Sequence, residues 1–294
     1  MNPHASNLNR TLLAGMLTAG LAACGGGGGS DSGATGSFSL SITDAPVDDA
    51  QEVVVTFTAV TLKPADGDAI TITLDTPQSI NLLDYQNGAS VTLVDDEAVT
   101  AGDYAWIRLT LDQNNTYIVD SLGREHDLTI PSSAQTGLKL NNSFTLAADE
   151  TLAYTIDFDL RKSVHLTGTG EYIMRPTLRM VKDAEAASLG GSVDSSLIAT
   201  HCVDAEDIPA VYVFESGDPV DDMDGGNDPV ATATIPMDGV YEYKVTLLEP
   251  GTYTLAFTCD ADQDGPDTDD DAAMTFVGET DVTLTAGATT THNF

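Results

Sequence analysis

The chain has few basic residues. Its 294 residues include 11 Lys and Arg against 46 Asp and Glu, which gives a formal net charge of −35 at pH 7. This charge repels nucleic acids and anionic lipid surfaces, so neither is an expected partner. Two explanations of the acidity remain open and are compatible with each other: a solvated surface suited to salty water, or carboxylates that bind divalent cations.

The sequence also lacks the common catalytic motifs. It has no HExxH metalloprotease motif, no G-x-S-x-G nucleophile motif and no glycine-rich phosphate-binding loop. Acidic pairs occur throughout the chain, so their presence does not indicate a glycosidase. We therefore expect that the protein is not an enzyme. A hydrolytic site in the first domain is the alternative.

The apolar run Leu12–Leu21 has the length of a secretory signal and is too short to span a bilayer. It follows Arg10 and ends in the tetrapeptide Leu21-Ala22-Ala23-Cys24, which resembles the lipobox of bacterial lipoproteins. The resemblance implies that residues 1–23 are a signal peptide. It also implies that Cys24 is acylated, by palmitate among other chains, and becomes the mature N-terminus.

Residues 24–36 fit the same resemblance to bacterial lipoproteins. After Cys24, the stretch GGGGGSDSGATG is a flexible Gly/Ser tether between the membrane and the folded protein. Gly25, in place of the Asp associated with inner-membrane retention, implies by the same resemblance an anchor in the cell outer membrane. The periplasmic and the surface-exposed side remain equally open.

From Ser37 onward the chain shows almost no helical periodicity. Apolar and polar residues alternate in short runs separated by Asp, Gly, Asn and Pro, which predicts short β-strands. The fold class is therefore all-β, with two antiparallel β-sandwich domains. A change of composition at 183–189 predicts a linker between a first domain, 37–182, and a second domain, 190–294.

The clearest alternation lies at residues 151–166, and the turn TGTGE at 167–171 predicts a hairpin with 172–182. A hairpin centred near Gly168–Thr169 places Asp159 opposite Arg179 and Ser163 opposite Arg175. Cross-strand ion pairs contribute roughly 0.2–1 kcal/mol each and help to fix register, so we favour a structural role over a binding surface. The predicted polar face carries Asp157, Asp159, Arg161, His165, Arg175 and Arg179.

Two cysteines remain once Cys24 is assigned to the lipid. In an oxidising compartment such a pair predicts a disulfide between Cys202 and Cys259. Successive loops of a sandwich alternate between its ends, so loops 196–208 and 259–272 should share an end. The same rule places the acidic loop 215–229 at the opposite end.

One acidic loop resembles a calcium-binding loop in its spacing. Its alternating carboxylates could present several oxygens to a hard cation, and Gly265 permits a sharp turn. No helices flank the loop, and its twelfth position is Asp where Glu is usual, so it is not an EF-hand. A solvated acidic loop is the competing interpretation. The proposed calcium ligands are Asp260, Asp262, Asp264 and Asp271.

The first domain resembles a family known only as a domain of unknown function, DUF4382. The resemblance covers about residues 36–182 and implies a β-rich envelope domain without known chemistry. The segments that carry it are SLSITDAPVDDA at 39–50, LKPADG at 62–67, AGDYAWIRLTL at 101–111, IPSSAQTGLKL at 130–140 and DFDLRKSVHLTGTGEYIMRPTLRMV at 157–181.

The second domain resembles the carboxypeptidase-regulatory-like, prealbumin-type β-sandwiches, which are usually non-enzymatic accessories. The segments that carry this resemblance are GGSV at 190–193, IPAVYVFE at 208–215, MDGVYEYKVTLLEPGTYTLAF at 237–257 and TDVTLTAGATTTHNF at 280–294.

Together these features predict a lipid-anchored cell-envelope protein that acts as a non-catalytic binding or interaction module. Its expected partners are the membrane, through the lipid, and an envelope protein or a glycan. The alternative function is a calcium-dependent glycan-binding or glycan-active envelope protein, and Ca2+ is the one cofactor that the sequence suggests.

Overall fold

Strands make up most of the structure, as the alternation of apolar and polar residues predicts. The computed structural model describes residues 33–45, 50–131, 137–223, 226–265 and 274–294. Residues Ala34–Phe294 form one compact unit. In the described ranges no helix is both long and apolar enough to cross a membrane. The predicted all-β class is confirmed.

We call residues 35–182 the first sandwich. It contains the helical turn α1 (Leu160–Ser163) and short 3-10 turns at Leu82–Asp84 and Gln113–Asn115. Its strands are β1 (Thr35–Ala45), β2 (Ala50–Pro64), β3 (Ile70–Asn81), β4 (Val91–Thr100), β5 (Gly102–Leu111), β6 (Tyr117–Asp120), β7 (Glu125–Thr129), β8 (Leu138–Leu140), β9 (Phe144–Leu146), β10 (Thr151–Asp159), β11 (Val164–Leu166), β12 (Tyr172–Met174) and β13 (Thr177–Lys182).

Two sheets enclose the core of the first sandwich. One has the strand order β13-β10-β1-β4, and the other has the order β11-β12-β7-β6-β2-β5-β8, with β3 paired to β2 and β9 to β5. Both sheets contribute to a single apolar core, in which the Phe57 ring lies edge-on to the Phe158 ring at 6.1 Å.

Two strand pairs of the first sandwich are parallel, which corrects the prediction of purely antiparallel sheets. Strand β1 pairs in parallel with β10, and β7 pairs in parallel with β12. Parallel pairing needs a long connection between the two strands, and many residues separate the members of each pair. The β1–β10 pairing sets Thr43 opposite Asp157 and Ala45 opposite Asp159.

The predicted register of the hairpin around residue 168 is confirmed near the turn and is wrong further from it. Val164 lies opposite Met174, and the Arg175 amide donates to the Ser163 carbonyl at 2.8 Å, as the predicted register requires. Arg179, however, lies opposite Asp157 and not Asp159. The reason is the helical turn α1, which interrupts the predicted long strand and absorbs two residues of one arm.

We call residues 187–294 the second sandwich. Its sheets have the orders β17-β14-β20 and β16-β15-β18-β19 around a second apolar core. Its elements are β14 (Ala187–Ser192), α2 (Ser195–His201), β15 (Ala210–Glu215), β16 (Ala231–Thr234), β17 (Glu242–Leu248), β18 (Gly251–Thr258), β19 (Val277–Leu284) and β20 (Thr289–Thr291).

Two local features near the sandwich boundary differ from the sequence prediction. Asp194 caps α2, since its side chain accepts a hydrogen bond from the Ser196 amide, and this helix occupies part of the predicted loop 196–208. Strand β14 begins at Ala187, so the last three residues of the predicted linker 183–189 lie in a sheet. The division into two domains stays a prediction.

Strand β15 is buried on both faces, which matters for the contact between the sandwiches. Val211 and Val213 belong to the core of the second sandwich. Ala210, Tyr212 and Phe214 point to the other side and form a separate apolar cluster. This outer face of β15 is the surface of the second sandwich that Arg161 of the first sandwich contacts.

Candidate binding site at the junction of the sandwiches

The members of the predicted polar face do not share one sheet, because β10 and β13 belong to one sheet and β11 and β12 to the other, and most of these members are buried. Asp157, Asp159, Arg161 and His165 are each less than a tenth exposed, whereas Arg175 is exposed. The Asp157–Arg179 pair joins β10 to β13, with Arg179 Nη2 2.5 Å from Asp157 Oδ2. The sequence therefore indicated the members of this face but not what covers them.

Basic side chains of this face reach across to the second sandwich. Arg161 donates one hydrogen bond to the Tyr212 hydroxyl at 3.1 Å and another to the Ala261 carbonyl. Lys162 donates to the Pro229 carbonyl. Arg179 donates to the Val230 carbonyl at 3.3 Å. These basic side chains therefore do more than pair with carboxylates of neighbouring strands, because their hydrogen bonds join the first sandwich to the second.

Asp264 completes this network from the other side. Its Oδ2 accepts a hydrogen bond from the Tyr212 hydroxyl, and its Oδ1 accepts one from the Met223 amide at 3.0 Å. The carboxylate is 8% exposed and faces the interior. Asp264 therefore holds loop 215–229 and strand β15 together.

That contact shows that the predicted position of loop 215–229 is wrong. The loop is not confined to the opposite end of the sandwich, because Met223 meets Asp264 of loop 259–272. The physical reason is the burial of apolar side chains of the loop. Val220 packs on the outer face of β15, and Met223 is 2% exposed. A long loop with apolar side chains folds back over a sheet face that needs cover.

The predicted disulfide is confirmed. Cys202 and Cys259 are bonded, with their Cα atoms 5.1 Å apart. Cys202 ends helix α2, and Cys259 directly follows strand β18. Ile208 also forms a β-bridge with Asp260, so loops 196–208 and 259–272 do lie together, as the alternation of loop ends predicts.

The proposed calcium ligands are not gathered into a metal site in the described part of the chain. Asp260 Oδ2 accepts a hydrogen bond from the Thr275 amide at 2.7 Å, and the Asp264 oxygens have the partners given above. No group of three or more His, Cys, Asp or Glu residues in the described ranges could hold a metal ion. Asp271, like Cys24, lies outside the described residues, so the complete calcium loop stays a prediction.

A cleft of about 820 Å3 opens between the two sandwiches. The first sandwich lines it with Asp44, Gln86, Asn87, Asp157 and Arg179. The second sandwich lines it with residues of β14, β16, β17 and β20, most of them Gly, Ala, Ser, Thr or Asn. Its size is in the range of small-molecule sites, and its walls offer many short hydrogen-bonding groups.

Four buried polar atoms that line this cleft have no hydrogen-bond partner: both carboxylate oxygens of Asp44, Nε of Arg179 and Oγ1 of Thr232. Asp44 is 5% exposed and Thr232 is 4% exposed. Buried polar groups in folded proteins are nearly always paired, because an unpaired one costs free energy. Their concentration on one cleft therefore marks it as the candidate binding site.

Asp44 is the most unusual of these residues. Burial raises the pKa of its carboxyl group well above the ordinary range, and the negative charges of Asp157 and Asp159 raise it further. The Gln86 side chain and the Leu160 amide oppose this rise, although neither makes a hydrogen bond of good geometry to it. Parallel pairing of β1 with β10 sets Asp44 opposite Phe158, so Asp44 lies at the same end of the sheet as Asp157 and Asp159.

Sequence reasoning missed Asp44 as a site residue, although the sequence contains a signal for it. Phe38, Leu40 and Ile42 alternate along β1 and are fully buried, and Asp44 continues the same phase. A carboxylate at a position where the pattern predicts an apolar side chain is a candidate functional group. The other half of the cleft could not be predicted, since it comes from strands far away in the sequence.

Comparisons with known proteins agree with the first part of this picture. Residues 35–176 match the family described as "Domain of unknown function (DUF4382)". This bears out the resemblance of the first domain and brings no known chemistry. The resemblance of the second domain to the carboxypeptidase-regulatory-like sandwiches stays a prediction. No curated protein matches the chain.

Solved structures with some likeness include a Bacillus anthracis protein and two bacterial pilins. The Bacillus anthracis TIE protein is 8% identical, with a TM-score of 0.20, and the match covers 89% of this chain but only 34% of that one. The minor pilin GBS52 of Streptococcus agalactiae is 11% identical, with a TM-score of 0.22 and coverage of 87% and 94%. The major pilin subunit BcpA of Bacillus cereus is 11% identical, with a TM-score of 0.22 and coverage of 88% and 98%. Similarity this distant says nothing about function.

Proposed function

We propose that this protein is a lipid-anchored component of the cell envelope that binds a ligand in the cleft between its two sandwiches, without catalysis. The observation that carries the proposal is the group of four unpartnered buried polar atoms on one cleft. A bound ligand would supply the missing hydrogen bonds. This would explain why a folded chain keeps such costly groups.

The character of the cleft supports binding rather than chemistry. Asp157 is held by Arg179, and Asp159 lies 3.9 Å from Lys162, so these charges serve the architecture of the junction. The walls present hydroxyl, amide and backbone groups from strands of both sandwiches. Rigid strands that present short polar side chains suit recognition of a small polar ligand.

The anchor is the second part of the proposal. Cys24 would carry the lipid in the outer membrane, and residues 25–34, which precede β1, would let the first sandwich lie up to ~33 Å from the bilayer. A Cys24→Ser protein should lack acyl chains by mass spectrometry and should leave the membrane fraction. A Cys24→Ser protein that still carries lipid would contradict this anchor.

A bulky substitution that blocks the cleft tests whether a ligand binds there. Thr291 lies exposed on β20 at the cleft, so Thr291→Trp should fill the opening with little effect on the core. We would screen amino acids, polyamines and sugars for compounds that raise the melting temperature. The proposal expects at least one such compound, which acts on the wild type but not on Thr291→Trp.

Thr283→Trp is the matched control, since Thr283 is equally exposed, on strand β19, and does not line the cleft. This variant should respond as the wild type does. A compound that stabilises the wild type and Thr291→Trp equally would place its binding site elsewhere and would contradict the proposal.

A further inference from the structure

We propose that the ligand of this cleft carries an organic cation, a guanidinium group, and that the carboxylate of Asp44 receives it. This inference rests on the proposed binding function of the cleft and assigns the chemical class of its ligand. Four observations lead to it, and they concern charge pairing, hydrogen-bond donors, ligand size and the field around the cleft.

The first observation is the unequal pairing of three neighbouring carboxylates. Asp157 forms an ion pair with Arg179, and Asp159 lies within 3.9 Å of Lys162. Asp44 has no ion pair with any described residue and is 5% exposed. A buried carboxylate is costly unless a cation accompanies it, and here the protein supplies cations to the other two only.

The second observation concerns donors. Both oxygens of Asp44 are buried without a hydrogen bond, so the missing partner must donate at least twice. A guanidinium group presents a planar fork of N–H donors that matches both oxygens of a carboxylate. A neutral polyol could donate as well, but it would leave the negative charge uncompensated.

The third observation separates an organic cation from a metal ion. No group of three potential metal ligands occurs among the described residues, and Arg179 already binds Asp157, another carboxylate of the cleft. The cleft, at about 820 Å3, is also much larger than an ion and its hydration shell. Nε of Arg179 and the hydroxyl of Thr232 would then meet an oxygen acceptor on the remainder of the ligand.

The fourth observation is the electrostatic field. Four carboxyl groups line the cleft, against two basic side chains. The whole chain has a net charge of −35, which attracts cations from solution and raises their rate of association. The four carboxyl groups are those of Asp44, Asp157, Asp238 and Glu242, and the two bases are Arg179 and Lys244.

The experiment uses arginine, agmatine and citrulline as probes on the complete mature protein. Citrulline has nearly the shape of arginine, with an uncharged ureido group in place of the guanidinium. Agmatine keeps the guanidinium but lacks the carboxylate that Arg179 and Thr232 would contact. We expect calorimetry to show arginine binding about tenfold or more tightly than citrulline. The affinity for agmatine should lie between the affinities for arginine and citrulline.

Two variants assign the effect to Asp44. Asp44→Asn should lose the preference for arginine over citrulline, with at least about a tenfold loss of arginine affinity. Glu279→Gln removes one exposed carboxylate outside the cleft and should bind as the wild type does, which controls for net charge. Thermal unfolding of Asp44→Asn confirms that the variant is folded.

The outcomes separate this inference from the proposed function. Equal affinity for arginine and citrulline, with binding abolished by Thr291→Trp, overturns the cation assignment and leaves the cleft as the binding site. Arginine binding that neither Thr291→Trp nor Asp44→Asn affects overturns both. Failure of arginine and agmatine to bind at all, while a neutral compound binds in the cleft, also overturns the cation assignment.

Discussion

Asp44 illustrates how a single residue can cost stability and serve a site. It occupies the last of the buried alternate positions of β1, after Phe38, Leu40 and Ile42. An apolar residue at this position would extend the core. Burial raises the pKa of the Asp44 carboxyl group instead, and the negative charges of Asp157 and Asp159 raise it further. A group of this kind weakens the folded state unless a ligand compensates it.

At pH values above its folded-state pKa, where Asp44 is ionised, we expect Asp44→Asn to raise the free energy of unfolding by on the order of 1–3 kcal/mol, because it removes a buried, unpaired charge. Because the folded-state pKa of Asp44 is raised, the folded protein binds a proton more readily than the unfolded chain. The stabilisation from that proton is complete below the unfolded pKa of about 3.9 and is lost as pH rises through the folded pKa.

Urea unfolding of both proteins at a series of pH values checks this prediction. The advantage of Asp44→Asn should be largest at pH values above the folded-state pKa of Asp44 and should shrink as the pH falls through this window. All other carboxyl groups are common to the two proteins, so the difference reports Asp44 and its coupling to Asp157 and Asp159. A variant that is less stable than the wild type at every pH of the series would contradict the assignment of Asp44 as an uncompensated charge.

At the scale of elements, the sequence predicted strands well and their partners less well. Alternation correctly placed β10 and the turn after β11, since side-chain period alone determines which residues face the core. It did not predict the helical turn α1, although Lys162 stands where the alternation requires an apolar residue and so interrupts the pattern. Pairing of β1 with β10 depends on contacts across more than a hundred residues, which no local pattern contains.

The candidate site, too, was predictable from the sequence only in part. The polar face was visible in the sequence because its members alternate on one hairpin. Its burial was not, because it is produced by Tyr212 and Ala261 of the second sandwich. The disulfide was predictable for a different reason: only two cysteines were left to pair, and loop alternation brings their loops together.

The disulfide joins two elements of the second sandwich, and its removal should be costly. Cys202 and Cys259 are separated by 57 positions, and closing a loop of this length is worth roughly 4 kcal/mol in the chain-entropy model. We expect Cys202→Ala with Cys259→Ala to lower the free energy of unfolding by about that amount. Chemical denaturation under identical oxidising conditions measures it.

Reduction of the wild-type protein is the matching control. With dithiothreitol, the wild type should approach the stability of the double variant, whereas the double variant should not respond. Loss of stability confined to the first sandwich would contradict the placement of this bond, since both cysteines belong to the core of the second sandwich or pack against it.

At the scale of the whole molecule, the junction determines whether the two sandwiches behave as one body. Arg161 is 5% exposed and contacts Tyr212 and Ala261, while Asp264 binds Tyr212 from the other side. The cleft exists only while this contact holds, because its two walls come from different sandwiches. Ligand binding and the coupling of the sandwiches should therefore depend on each other.

Arg161→Met tests that coupling. Hydrogen bonds from a charged donor contribute about 1.5–3 kcal/mol each, so the junction should open before either sandwich unfolds once Arg161 is removed. The chain has a single tryptophan, Trp106, and it lies in β5 of the first sandwich, so its fluorescence reports on that sandwich alone. Hydrogen exchange of the β15 amides, Val211–Phe214, reports on the second.

In the wild type we expect both probes to give the same unfolding midpoint in urea, because the junction makes unfolding cooperative. In Arg161→Met the two midpoints should separate, and arginine binding to the cleft should weaken in parallel. Lys182→Met is the control: its ammonium group is about a third exposed and forms surface ion pairs with Glu150 and Glu185, which contribute little. Coincident midpoints in Arg161→Met would mean that other contacts suffice to join the sandwiches, and that Arg161 does not hold the cleft together.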